Sequence, residues 1–267
     1  VATVPTANGL EDIVMRVLAT AIPIPIEEAG LEAEALERIK QLAAKPYGLF
    51  LICGPTGSGK TTTLHSILGH INTPGSKIWT AEDPIEITQE GLRQVQVNSR
   101  IGWTFAAAMR SFLRADPDVI MVGEMRDIET AKIAIEASLT GHMVFSTLHT
   151  NSAAESMVRL LDFGMDPFNF SDALVGILAQ RLAKRYCKHC KKSHIASVDD
   201  IMELAQEYCQ GTPLDPDAVY QQWRRTYANE NGEFLLSSVN GCTECGGTGY
   251  KGRIGLYEFL EASAPIK

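Results

Sequence analysis

Apolar positions along the chain change their spacing several times, and the changes mark its parts. At the start, Val1 to Val4 and Ile13 to Leu18 read as two short strands separated by an Asn8-Gly9 turn signal. AIPIPIEEAG (21–30) carries two prolines and a glycine and reads as a linker. Leu31, Ala35, Leu36, Ile39 and Leu42 recur at helical spacing, which predicts a helix over 31–44 stopped by Pro46. From Tyr47 the pattern alternates. GLFLIC, KIWTAE, DVIMVG and HMVFSTL are short and nearly all apolar, as strands covered on both faces must be. Between and after them 61–71, 105–113, 128–139 and 153–163 read as helices, with Asp127 a cap and Gly141 a stop. This alternation predicts an α/β domain with a largely parallel sheet over roughly 47–165, whose ligands gather at the carboxyl ends of the strands. Beyond it a long amphipathic helix is expected over Asp172 to Tyr186, then a polar, helix-rich stretch from Asp199 to Tyr227.

The chemistry starts where GLFLIC ends. Gly54-Pro55-Thr56-Gly57-Ser58-Gly59-Lys60-Thr61 matches G-x-x-x-x-G-K-[ST], after a predicted strand and opening a predicted helix, with Thr62 next. Glycines let the backbone turn tightly enough to aim successive N–H groups at phosphate oxygens, and the helix start adds partial positive charge. Lys60 is expected to reach the β/γ-phosphates and Thr61 to offer its hydroxyl to Mg²⁺. The bland alternative is a glycine-rich turn without a ligand.

Two further strands bring acids to the same edge. KIWTA ends in Glu82-Asp83-Pro84, and DVIMV in Gly123-Glu124, followed by Arg126 and Asp127. Hydrolysis of a γ-phosphate needs a carboxylate on the water and acidic groups on the metal. Glu124 is the first candidate for the water, with Glu82 second, on metal or water. Gly123 stands where an Asp commonly closes this strand, which moves metal duty toward Glu82 or bound waters. His142 and His149 bracket HMVFSTLH and are candidate γ-phosphate sensors or contacts to a neighbouring subunit, His149 within the catalytic set. Arg93, Arg100, Arg110, Arg114 and Arg126 are candidates for a finger or sensor, against the plain alternative of solvated surface charge.

Composition narrows the function class. Among 267 residues, 24 Lys and Arg face 32 Asp and Glu, a formal charge of −8. Phosphate-backbone binding relies on clustered cations, so a nucleic-acid gripping protein is disfavoured. No apolar run reaches the length of a membrane-spanning helix and no export signal opens the chain, so a soluble, unexported protein is expected. Starting without Met, it reads as a fragment. Of the six cysteines, Cys187/Cys190 and Cys242/Cys245 form two C-x₂-C pairs. Together they offer four thiolates to one structural Zn²⁺, provided residues 191–241 fold so that their ends meet. Disulfides and unpaired reduced thiols are the alternatives.

GPTGSGKTTTL, AEDPIE, RADPDVIMVGEMRD and TGHMVFSTLHTNSA, in that order, resemble the Walker A, Asp, Walker B and His boxes of the secretion ATPase superfamily of type II secretion and type IV pilus systems. The tail AQRLAKRYCKHC…GCTECGGTGYKGRIGLYE is similar to the tetracysteine subdomain of the secretion and pilus-assembly branch, which pilus retraction motors typically lack. VPTANGLEDIVMRVL resembles the last strands of the preceding small domain. The resemblance implies a PAS-like end over 1–18, a linker over 19–30 and a RecA-like core over 31–186. A zinc-binding subdomain over 187–250 and a truncated return to the core over 251–267 would follow. It implies ATP/ADP, Mg²⁺ and structural Zn²⁺ as ligands, and Arg16 reaching the nucleotide from the small domain. It also implies a cytoplasmic hexamer beneath an inner-membrane platform and its adaptor domain, driving pseudopilus assembly and protein export, or alternatively pilus assembly. A nucleic-acid-translocating motor is the alternative of another class; it should carry a basic stripe with stacking aromatics, which this acidic chain does not show.

Overall fold

The computed structural model describes residues 2–15 and 23–263, so Arg16 lies outside the described residues. The chain divides into two compact units, one of residues 1–182 with 255–267, the other of 183–254.

The first unit is organised around β3 (Gly48–Cys53). Every residue of this strand is buried, because both faces are covered. Phe50 and Ile52 point into one core with Ile39 and Leu42 of α1 (Ala33–Ala43) and Leu64, Ile67 and Leu68 of α2 (Lys60–Ile71). Leu49, Leu51 and Cys53 alternate to the other face. There they join Ala108, Met109 and Phe112 of α3 (Phe105–Phe112) and Ala131 and Ala134 of α4 (Ile128–Leu139). Each fully buried aliphatic side chain contributes roughly 1.5–3 kcal/mol, so this strand and its covers anchor the unit. Asp127 caps α4, accepting a hydrogen bond from the Thr130 N–H at 2.8 Å.

β3 pairs in parallel with β7 (Met143–Leu148) and with β8 (Leu174–Tyr186). Outward from β7 follow β6 (Val119–Val122), β4 (Ile78–Glu82) and the edge strand β5 (Arg93–Gln96), all parallel. On the other side β11 (Tyr250–Glu261) completes the seven-stranded sheet, order β11-β8-β3-β7-β6-β4-β5. The carboxyl ends of β3, β4, β6 and β7 therefore share one edge.

The helix expected over Asp172 to Tyr186 is instead a strand. A short helix, α6 (Pro167–Ala173), ends before it, and Leu174 to Gln180 is a fully buried run. The open edge of β3 supplies backbone partners for this run, and a buried strand needs them more than it needs helical propensity. Helix α5 (Ala153–Asp162) lies where its pattern predicts, with Ser152 as cap. At the start of the chain β1 (Ala2–Pro5) pairs antiparallel with β2 (Glu11–Val14). Asn8 and Gly9, both at positive φ (64° and 72°), turn the chain between them. Thus the second strand begins earlier than the Ile13 expected.

In the second unit, β9 (Lys191–Ile195) pairs antiparallel with β10 (Leu235–Val239). Between them α7 (Val198–Cys209) and α8 (Pro216–Tyr227) form a helical hairpin around Ala205, Cys209, Val219 and Trp223. Ser197 and Asp200 form a reciprocal capping box on α7. The segment 191–241 is thus a folded excursion, and its closed β9–β10 base brings the two cysteine pairs together.

Candidate functional site

Gly54, Gly57 and Gly59 all adopt positive φ (152°, 79° and 89°). At Gly54 a Cβ would sit 2.3 Å from the Gln180 backbone oxygen and 2.6 Å from Ser58 Oγ, so no side chain fits. At Gly57 nothing lies within 4 Å of such an atom, and the loop is open there. In α2 the first bonded amide is that of Thr63, donating to Gly59 O at 3.0 Å. The N–H groups of Lys60, Thr61 and Thr62 have no backbone partner among the described residues, the arrangement that a helix start presents to an anion. Ser58 Oγ, buried, is likewise without a partner. Lys60 Nζ donates to Gly54 O (2.8 Å) and Pro55 O (3.0 Å). An ammonium has three donors, so one is left to a ligand. Burial pushes the Lys60 pKa down, and the charge of Glu124 works against that, which places Glu124 within electrostatic reach of the loop.

Glu124 sits on a turn stapled to both neighbouring strands. The Gly123 N–H donates to Ala81 O (2.8 Å), Thr147 Oγ1 to Gly123 O (2.6 Å), and the Met125 N–H to Thr147 O (3.0 Å). A side chain at position 123 would press on Ala81 O at 3.2 Å, a reason for glycine where an Asp is common. On the Glu124 carboxylate, Arg126 Nε (2.5 Å) and His149 Nε2 (3.3 Å) both meet Oε2. Oε1 accepts no hydrogen bond among the described residues, so one oxygen of a buried, oriented carboxylate is available.

Glu82 is engaged differently. Its Oε1 accepts from Thr80 Oγ1 (2.6 Å) and Gln94 Nε2 (2.9 Å), and its Oε2 meets His65 Nε2 at 3.2 Å. Burial alone would push this carboxyl up; the hydrogen bonds from His65, Gln94 and Thr80 outweigh it and hold the group below its ordinary 4.5. A carboxyl with a lowered folded-state pKa stabilises the fold above its unfolded value and loses that contribution as pH falls through the folded one. Thermal stability is therefore expected to decline as pH falls below about 4.5. Glu82→Gln should flatten that decline in a melting series; an unchanged acid slope would remove Glu82 as its source.

The structure puts His142 and Arg93 at the amino-terminal edge of the sheet, away from the loop, and pairs Arg110 with a surface acid. His142 precedes β7 at its amino end, roughly 20 Å of strand from His149, and its Nδ1 lies 3.1 Å from Ala137 O. The two histidines are on opposite edges of the sheet because a six-residue strand separates them. Arg93 is opposite Trp79 at the amino end of β5, whereas Gln96 is opposite Glu82. Arg110 on α3 is paired with Glu129 at 2.5 Å on the exposed surface. Arg126 and His149 are partners of Glu124, while Arg100 lies in the short turn Ser99–Ile101 and Arg114 just after α3, neither with an ion pair to Glu124 among the described residues. Sequence reasoning missed Gln180, whose Nε2 donates to Ser58 O at 2.7 Å, and it missed His65, Gln94 and Thr147. A histidine one turn after Thr61, beside Leu64 and Leu68 on the buried side of α2, was the legible signal for one of them.

In the second unit the four cysteine sulfurs lie within 4.8 Å of one another. The Cys187–Cys242, Cys190–Cys245 and Cys242–Cys245 separations are 3.8, 4.0 and 3.7 Å. A tetrahedron with ~2.3 Å Zn–S bonds has edges of about 3.8 Å, while a disulfide would bring two sulfurs to about 2.05 Å. At Cys245 the effect of burial, which raises the pKa, is overcome by the Cys242 and Gly249 N–H groups, and the thiol is drawn down to about 6. The donor set fits a soft tetrahedral cation.

A phosphate loop leading from a central parallel strand into a helix, with acids at neighbouring strand ends, makes the first unit a RecA-like P-loop core. The chain belongs to the family described as type II/IV secretion system protein, whose model matches residues 1–267. Type IV pilus assembly ATPase PilB of Thermus thermophilus is 48% identical over 99% of the chain and 28% of its own length. Type II secretion system protein E of Klebsiella pneumoniae is 42% identical over 97% of the chain and 48% of its own length. The chain thus spans less than half the length of these two relatives. Among solved structures, the pilus retraction motor PilT with bound ADP is 40% identical, covering 64% of this chain and 51% of its own, with a TM-score of 0.56. The ATPase DotB of Legionella pneumophila is 28% identical over 84% and 62%, TM-score 0.58. No helix among the described residues is long and apolar enough to cross a membrane.

Proposed function

We propose that this chain is the catalytic part of an ATP-hydrolysing motor for pilus assembly or protein secretion. The observation that carries the reading is the cradle of unpaired N–H groups at 60–62 beside Lys60, on which the charge of Glu124 also acts. ATP would lay its phosphates on Gly54 to Thr62, with Lys60 between β and γ. Thr61 would offer its hydroxyl to Mg²⁺, which when bound supplies charge neutralisation on the β,γ-oxygens. Glu124 orients a water and takes its proton as the water oxygen bonds to the γ-phosphorus; the bridging bond breaks, leaving ADP and phosphate. Arg126 and His149 hold Glu124 in place. Three donors fill about three of the four acceptor sites of the Glu82 carboxylate, so Glu82 has room for one more hydrogen.

Lys60→Ala should weaken MgATP binding about 10- to 100-fold, the scale of a lost charge-assisted contact. Calorimetry returning the parent affinity would remove the site.

The four-cysteine site supports a structural Zn²⁺, held by Cys187, Cys190, Cys242 and Cys245 with no position left for chemistry. That cluster also favours assembly over retraction. The sequence reading leans to type II secretion, with a cytoplasmic homo-oligomer, a hexamer, docked on an inner-membrane platform. Pilus assembly is the alternative, and the 48% identity to PilB supports it. Genes adjoining the full reading frame assign the system, and turnover stimulated by DNA would instead favour a nucleic-acid motor.

A further inference from the structure

Helix α2 carries a buried polar group that the motor reading does not use. His65 is fully buried and sits one turn beyond Thr61, on the same face of the helix. Its Nε2 meets Glu82 Oε2 at 3.2 Å and its Nδ1 meets Gln89 Oε1 at 3.1 Å. The Glu82 carboxyl is held ionised and can only accept, so Nε2 carries the hydrogen. The rest of the cluster is tightly specified. Gln94 Nε2 donates to both Glu82 Oε1 and Ile87 O, while its own Oε1 accepts from the Gln89 N–H at 2.8 Å. Among the described residues this leaves His65 as the group joining the carboxylate at the end of β4 to the phosphate-loop helix.

We propose that His65 is the positioning residue for Glu82: by donating to Oε2 from α2, it fixes the direction of the carboxylate's one remaining acceptor site relative to the phosphate loop. The proposal rests on the motor reading above and deepens it. Thr80 and Gln94 hold Oε1 from β4 and β5, within the sheet; among the described residues the His65 bond alone ties the carboxylate to the element that carries Lys60 and Thr61. Any displacement of the helix would therefore reach Glu82 through the His65 hydrogen bond. His65 does not touch the cradle, so its effect should fall on turnover and leave affinity alone.

The full-length protein is assayed with MgATP for kcat, KM and, by calorimetry, nucleotide affinity. Glutamine places an amide N–H near the position of Nε2, whereas asparagine places it near Nδ1, short of Glu82. His65→Asn and His65→Phe should lower kcat about 10-fold with affinity within about twofold of the parent, and His65→Gln should recover most of the loss. In the Glu82→Gln background, His65→Asn should cause no further drop, because the bond it removes no longer serves an ionised carboxylate. The inference is overturned by a kcat for His65→Asn equal to that of His65→Gln, by losses that multiply in the double variant, or by a matching loss of affinity. If the motor reading itself is wrong, the parent neither binds nor hydrolyses MgATP, a result visible before any His65 variant is compared.

Discussion

Glu124→Gln is expected to bind MgATP as the parent does and to hydrolyse it roughly 100- to 1,000-fold more slowly, within the range that a positioned general base supplies. Glutamine keeps the size and one carbonyl acceptor of the side chain but cannot take a proton. The backbone of the turn would be undisturbed, since its hydrogen bonds to Ala81, Thr147 and Gly123 involve no side-chain atom of residue 124. Arg126 and His149 would lose a charged partner while keeping a neutral acceptor at Oε1 of the new amide. Glu82→Gln should act differently, with a smaller loss of turnover and a changed acid stability, because its carboxylate already serves three donors of the fold. Single-turnover measurements beside nucleotide affinity separate the two. Parent-like turnover in Glu124→Gln would transfer the water to Glu82 and leave the open Oε1 without a role.

Removal of metal should have the second large effect, confined in its direct structural consequences to residues 183–254. Freshly purified protein, prepared without chelator, is expected to contain about one zinc per chain. Cys187→Ser or strong chelation should release it. The cysteine turns meet through their sulfurs and through the Cys187 N–H, which donates to Gly249 O at 2.8 Å, whereas the helical hairpin of α7 and α8 has a small core of its own: Ala205, Cys209 and Val219 with Tyr220 and Trp223. Hydrogen exchange should therefore accelerate first around 187–190 and 242–249, and less in the hairpin. The amides of β3 and β7 should stay protected, since their burial does not depend on the cluster. Preparations free of zinc, with the same protection around the cysteines, would overturn the assignment.

Much of the core was legible because its signals are local. Glycines at 54, 57 and 59 announce a backbone that only they tolerate. All-apolar runs such as GLFLIC announce strands with two covered faces. Two C-x₂-C pairs announce four thiols that the fold gathers within 4.8 Å. Leu174 to Gln180 was illegible for the opposite reason: buried apolar runs suit helix and strand alike, and the open edge of β3 decided between them. His142 and His149 look equivalent in sequence, yet six strand residues put them at opposite edges.

The order of residues thus determined by itself the phosphate loop, the acids at the strand ends and each C-x₂-C pair, since each needs only neighbours along the chain, whereas the meeting of the two pairs needed the β9–β10 base. Only the tertiary structure decided what each acid is free to do. Glu82 and Glu124 are similar letters at similar strand ends, but donors from β4, β5 and α2 converge on one, while the other keeps an oxygen open. Hydrogen-bond saturation depends on residues distant in sequence, and no local pattern encodes it.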